Sequence, residues 1–429
     1  MPVQEALFLR VAVLSLIEAA GDDPDALRGS LLIGGRSLLR HQIGFALSIG
    51  CKRIVLMAEG ISGELVALQH VVEAGAAQFH VVATARALVP LIQPEDDVFV
   101  LGDGLLAMPA GLRDMLDAGP VLLTFPEESA VPHGFERIDI NSAFAAAMRF
   151  PGRIAAALAD LPPEWNTQSA LLRLAVQSRI PQRSVPSALL DDGRWRIVRN
   201  EADAHQAERQ WLRWHTDQAG IGAGSPGEVA AVAVVRRFGP ALLHAGTRPA
   251  LIGLAAGLVG LLGGGLGWLG SYATGFALLG LCWLIEHVAS LLGRVERDSL
   301  LASGFARRSV EAFHMLIDTG FVVLATWRSQ LPALPWGLRA FAPILLVCAL
   351  RLLPVALPDS RWARWCEDRL LVGLCLALAS VFLPFDVTLG LVVISLIGAC
   401  LVALQLARRE SGSGSVTKVS PNSQLTSRP

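Results

Sequence analysis

The sequence predicts a soluble α/β domain at the front of the chain and an all-α polytopic membrane bundle behind it. Three observations carry that reading. Short apolar runs alternate with helical stretches through roughly the first 125 residues. From about residue 249 the composition turns abruptly apolar, and six hydrophobic segments follow. Charge is segregated the same way: 53% of all residues are apolar and 17% charged, yet the first half by itself reads as soluble. Acidic and basic residues nearly balance, 37 against 36, so no nucleic acid or acidic surface is implied as a partner.

The elements follow in order. RVAVLSLIEAA is a first strand running into a loop, and GGRSLLRHQIGFALSIG a helix with Leu38, Leu39, Ile43, Leu47 and Ile49 on or near one face. KRIVLMAEG is a buried strand bounded by Gly50 and Gly60. ELVALQHVVEAGA is the next helix, and QFHVVAT, DDVFVLGDG and GPVLLTF are further strands. Such alternation predicts a mostly parallel sheet with helices on both faces. Residues 150–185 read as helical with breaks at Pro162 and Pro163, and GRWRIVRN as a short or edge strand. EADAHQAERQWLRWH is an amphipathic helix, and AGIGAGSPGE a flexible linker. The α/β domain is placed at 1–200, helix and linker at 201–246, membrane helices at 247–407 and a disordered tail at 408–429.

The six apolar segments cover about 249–268, 271–292, 311–327, 339–357, 370–385 and 387–406, the third and fifth being short and the last two a hairpin around Asp386. Arginines 236, 237, 248, 294, 297, 307, 308, 361, 364, 369, 408 and 409 fall in connections on one side, against Arg328 and Arg339 on the other. Excess positive charge marks the cytoplasmic side, so a multi-pass protein of the inner membrane with both termini in the cytoplasm is expected. MPVQEALFLR has neither a basic n-region nor a cleavage site, so no signal peptide is expected. The six cysteines form no C-x-x-C pair, which argues for packing in a reducing or lipid setting and against disulfides or zinc.

Four stretches carry a family resemblance: LLIGGRSLLRHQIGFALSIGCKRIVLMAEG, DDVFVLGDGLL, RNEADAHQAERQWLRWH and TRPALIGLAAGLVGLL. Together they resemble the bifunctional enzymes in which a cytidylyltransferase of the nucleotide-sugar-transferase fold precedes a CDP-alcohol phosphatidyltransferase membrane domain. The resemblance implies a nucleotidyltransferase-like front half. Gly34, Gly35 and Arg28 would contact the nucleotide, and Asp103 would hold Mg²⁺ or Mn²⁺. It also implies CTP, a CDP-alcohol or a polyol phosphate as ligand, a lipid bilayer around the helices, and a homodimer through them. The chain departs from the family where a phosphate-cradling "G-x-G-x-R" loop belongs, because LSLIEAAGDDPDALRG offers Gly21 alone.

The membrane half departs further. The family signature, D-x-x-D-G-x-x-A-R followed by G-x-x-x-D-x-x-x-D, supplies four aspartates to two divalent metals. Along WLIEHVASLLGRVERDSLLASGFARRSVEAFHMLIDTG no alignment keeps more than one or two acids. With Arg294 as the signature arginine, Glu286 takes the first acid, Ala289 the second, and Arg307 and Glu311 the last two. Two hard cations cannot be held on one or two carboxylates, so loss of the phosphotransferase chemistry is expected.

Glu286, His287, Glu311, His314 and Asp318 are ionisable groups in or beside spans two and three, and the last three share a helix face. Glu286, Glu311 and Asp318 are the catalytic candidates. Two readings stand open for this group: a remodelled polar pocket, or a salt-bridge network, with Arg307 and Arg308, that closes a vestigial site. Gly263, Gly264, Gly265, Gly267 and Gly270 are expected in close helix packing. Trp211, Trp214 and His215 are expected to pack the linker helix against the membrane surface or the soluble domain, WARWCEDR fits an interfacial belt in which Cys366 is no nucleophile, and His133 and Asp139 are minor candidates near a substrate. The functional expectation is a diverged, non-catalytic relative that binds a nucleotide, polyol phosphate or lipid headgroup. An active transferase with shifted acids, Glu286 and Glu311 among them, is the first alternative and a transporter the second.

Overall fold

The computed structural model describes residues 9–21, 23–60, 63–162, 165–217, 224–245, 249–298, 306–330, 335–357 and 360–413. Residues 219–223 of the expected linker AGIGAGSPGE and the tail from 414 onward lie outside them, whereas the linker's last three residues, 226–228, are not flexible coil but the first turn of a helix. Two compact units emerge: Met1–Asp217 with Val235–Thr247 and Leu292–Gly304, and Gln218–Val234 with Arg248–Leu291 and Phe305–Pro429.

The first unit is a parallel-rich α/β domain. Its main sheet comprises β1 (Arg10–Leu16), β2 (Arg53–Ala58), β3 (Gln78–Val82), β4 (Asp97–Leu101), β5 (Val121–Pro126), β6 (Ser142–Pro151) and β7 (Gln182–Ser184), in the order β7-β5-β6-β4-β1-β2-β3. Only β6 runs against its neighbours β4 and β5. The pairs β1–β2, β1–β4, β2–β3 and β5–β7 are parallel. Strand β1 is buried on both faces: Ala12, Leu14 and Leu16 enter one core, Val11 and Val13 the other. That double burial is why it reads as a continuous apolar run rather than an alternating one. Helices α1 (Leu38–Ser48), α2 (Gly63–Ala74) and α3 (Pro109–Leu116) serve the first core, and α4 (Thr167–Gln177) the second. The expected edge strand in GRWRIVRN is Trp195–Ile197, which pairs with Leu105–Ala107. Trp195 is buried there, donates Nε1–H to the Ala145 carbonyl at 2.8 Å, and meets Phe125 edge-on.

Two segments differ from the sequence reading. SAFAAAMRFP, in which no strand was expected, is β6. Residues 152–160 form 3-10 turns rather than a regular helix, and the helical character of 150–185 is confined mainly to α4. Helix α5 (Glu201–Asp217) is the expected amphipathic helix, with Ala204, Ala207, Glu208, Trp211 and Leu212 buried. Helix α6 (Pro226–His244) follows.

The helical part holds α7 (Pro249–Trp268), α8 (Tyr272–Asp298), α9 (Ala306–Arg328), α10 (Phe341–Ala356), α11 (Arg361–Trp365), α12 (Arg369–Phe382) and α13 (Phe385–Ser413). Four of these are long and apolar enough to cross a membrane: Ala250–Trp268, Tyr272–Val295, Ser309–Arg328 and Phe385–Val402. Helices α10 and α12, with 16 and 14 residues, fall short of the roughly twenty that a bilayer core requires. Of the six expected spans, four are thus candidate spans among the described residues and two are shorter apolar helices. The third segment is longer than 311–327 and the fourth shorter than 339–357. Helix α13 also continues six residues beyond the expected end at 407.

Glycines let the helices touch. A Cβ on Gly263 would stand 2.9 Å from the Leu278 Cβ, and one on Gly373 would stand 2.7 Å from the Phe276 carbonyl oxygen. Close packing therefore accounts for Gly263, while Gly264 and Gly265 have no such neighbour within 4 Å.

Candidate functional site

In open α/β sheets, ligands sit beyond the carboxyl ends of the strands where the strand order reverses. Here the reversal falls between β1 and β4, and Asp103 stands two residues past β4. Its turn is fixed from three directions. Gly102 donates its N–H to the Ala146 carbonyl at 2.7 Å. Gln42 Nε2 donates to the Gly102 and Leu105 carbonyls at 2.8 and 3.1 Å. Gln168 Nε2 donates to the Leu101 carbonyl at 2.9 Å, and its Oε1 accepts the Asp103 N–H at 3.4 Å.

Asp103 faces the turn after β1. Its Oδ2 accepts the N–H groups of Ile17 and Glu18, each at 2.9 Å, with Ser15 Oγ at 3.5 Å. These are the amides that an anion-binding loop would turn toward a phosphate; here a carboxylate takes them. Its other oxygen, Oδ1, is buried without a hydrogen-bond partner. Burial pushes the Asp103 carboxyl up to about 6, and the neighbouring Glu18 charge adds to that rise; the two backbone bonds and Arg28 pull the other way. A small cleft lies beside Ser15, Ile17 and Gln168.

Of the residues offered for nucleotide contact, Arg28 is close to Asp103. It donates Nε–H to the Ala19 carbonyl at 3.0 Å and lies 3.8 Å from Glu18. Gly34 and Gly35 are elsewhere. They form the two-residue turn joining Leu32–Ile33 to Arg36–Ser37, with φ of +61° and +72°. Positive φ at both positions is the requirement of a type I′ turn, which explains the glycine pair. The Gly34 N–H goes to Glu208 Oε1 at 2.9 Å, and that oxygen also meets His244 Nε2 at 2.9 Å. Gly35 abuts the Leu243 backbone. His133 and Asp139 belong to local turns. His133 Nδ1 meets the Ser129 carbonyl, and Asp139 accepts the N–H groups of Asn141 and Ser142, bonds that hold its carboxyl below the usual range. Trp211 packs within its own unit, between the rings of His41 and His215, and Trp214 meets Arg194. Burial lowers His41 to about 4, so it is neutral there and can donate to the Ile33 carbonyl.

In the helical part the acids are already paired. Glu286 of α8 is buried, and its Oε2 lies 2.8 Å from His314 Nε2 of α9. His287 stacks on Trp283. Asp318, one turn beyond His314, is held by two arginines that the sequence reading did not connect with it. Arg351 of α10 donates Nε–H to Oδ2 at 2.7 Å. Arg369 of α12 donates Nε–H to Oδ1 at 2.7 Å and Nη2–H to Oδ2 at 3.1 Å. Glu311 is exposed one turn before His314. The Arg307 and Arg308 side chains lie outside the described residues. Asp368 accepts the Leu371 N–H at 3.0 Å and the Gly227 N–H at 2.5 Å, and so serves two helix starts at once. Among the described residues no three His, Cys, Asp or Glu side chains gather as metal ligands.

No family model matches the chain, and no curated protein matches it. Among solved structures, UDP-glucose pyrophosphorylase from Acinetobacter baumanii overlays at a TM-score of 0.36 with 11% sequence identity, covering 50% of this chain and 96% of that one. That degree of overlay assigns neither substrate nor activity.

Proposed function

We propose that this chain is a membrane protein whose two halves derive from a nucleotidyltransferase and a CDP-alcohol phosphatidyltransferase, and which binds a phosphate-bearing headgroup or polyol phosphate without turning it over. The observation that carries this reading is Asp318: both of its oxygens are occupied by guanidinium groups at 2.7 Å. A divalent cation would have to displace two fixed positive charges. Glu286 is likewise engaged, its Oε2 meeting His314 Nε2 one turn before Asp318.

The front half supports the same reading by a separate route. Asp103 spends one oxygen on the turn amides, and its other oxygen is buried rather than open to a ligand. Helix α9 runs unbroken past Asp318, which favours a packed polar network over a transport path. The bilayer is the expected setting, with both termini on the cytoplasmic side.

The test is turnover of radiolabelled CTP and of a CDP-alcohol by the full-length protein, with and without Mg²⁺ or Mn²⁺. No product above background is expected. Metal-dependent product that disappears in Glu286→Gln or Asp103→Asn would establish the active-transferase alternative instead.

A further inference from the structure

The Asp318 cluster does not balance. Two guanidinium groups meet one carboxylate, a net charge of +1 (2 − 1), and Arg369 and Asp318 are buried with side chains 9% and 6% exposed. Arg369 commits all three of its nitrogens, two to Asp318 and Nη1 to the Cys366 carbonyl. Arg351 turns only Nε and Nη2 toward Asp318; its Nη1 has no acceptor among the described hydrogen bonds, and its side chain is 40% exposed.

What Arg351 is exposed to follows from the helix. Phe341, Ile344, Cys348, Leu352 and Val355 are exposed on α10 at spacings of three and four, an apolar stripe of the kind that faces acyl chains. Arg351 lies within that stripe, five residues before the helix ends at Ala356. Five residues rise about 7–8 Å, within the reach of an arginine extending to an interface. An unneutralised guanidinium on a lipid-facing stripe is costly unless an anion meets it.

The geometry points to a phospholipid phosphate as that anion. Arg351 Nη1 would donate to a phosphodiester oxygen in the leaflet at the Ala356 end of α10, while Asp318 and Arg369 hold the guanidinium in place. This inference rests on the membrane reading of the helical part, and alkaline extraction of membranes tests that reading separately: the chain must stay with the pellet.

The experiment is native mass spectrometry of the full-length protein in detergent, titrated with dioleoylphosphatidylglycerol or with dioleoylglycerol, which has the same chains and no phosphate. The wild type is expected to prefer the phospholipid roughly tenfold, the worth of one charge-assisted contact. Arg351→Gln is expected to abolish the preference, and Arg351→Lys to keep part of it. Equal binding of both lipids by the wild type overturns the inference, and so does a preference that survives Arg351→Gln. Inorganic phosphate is the other arm: Arg351-dependent phosphate binding with no lipid preference assigns the cluster to a soluble anion and equally overturns it. If Arg351→Gln does not fold, the wild-type comparison and Arg351→Lys still decide.

Discussion

Asp103 offers the sharpest perturbation in the soluble half. Burial raises its carboxyl from the ordinary value of 3.8 to about 6. The folded protein therefore binds a proton more readily than the unfolded chain, and stability falls as pH rises from about 4 to about 6. The shift of roughly two units, at 1.36 kcal/mol each, makes the ionised form cost about 3 kcal/mol at neutral pH. Asp103→Asn imitates the protonated form. Its oxygen can keep the Ile17 and Glu18 amides, and an NH₂ replaces the orphaned Oδ1. The variant should exceed the wild type by about 3 kcal/mol at pH 7.5, and the two should coincide near pH 4. Urea unfolding of the full-length protein in detergent, read by pulse proteolysis of the soluble half, measures both. A gap that stays constant with pH, or an asparagine variant weaker at pH 7.5, refutes the burial argument.

Two further outcomes follow from named contacts. Gly34→Ala should cost about 1 kcal/mol for its positive φ, and Gly35→Ala clearly more, because a Cβ there would also collide with the Leu243 carbonyl; thermal unfolding compares the pair, and equal losses would contradict the packing. Asp318→Asn leaves two guanidinium groups without their counter-charge and should destabilise the helical part by roughly 3–5 kcal/mol, with at least half recovered on adding Arg369→Gln, as read from the melting temperature in detergent.

The parallel strands were legible because burial on both faces leaves an uninterrupted apolar run, as in RIVLMA. Asp103 was legible as a polar strand end. Strand β6 was not: SAFAAAMRFP is alanine-rich, and alanine favours helix, so only its placement between β4 and β5 makes it a strand. Gly34 and Gly35, expected at a nucleotide, have the conformation of a hairpin turn, which their spelling alone does not reveal. Periodicity placed Glu311, His314 and Asp318 on one face of α9. It could not find their partners, because Arg351 and Arg369 come from helices 33 and 51 residues further along.

The turn after β1 is closed from a distance. Gly21 donates its N–H to the Arg199 carbonyl at 2.8 Å, so the opening of the domain is fastened by its closing segment. A ribosome delivers the first strand long before that clasp exists. The clasp on the turn after β1 can therefore close only once residue 199 has left the exit tunnel, a long-range contact that forms after the local ones.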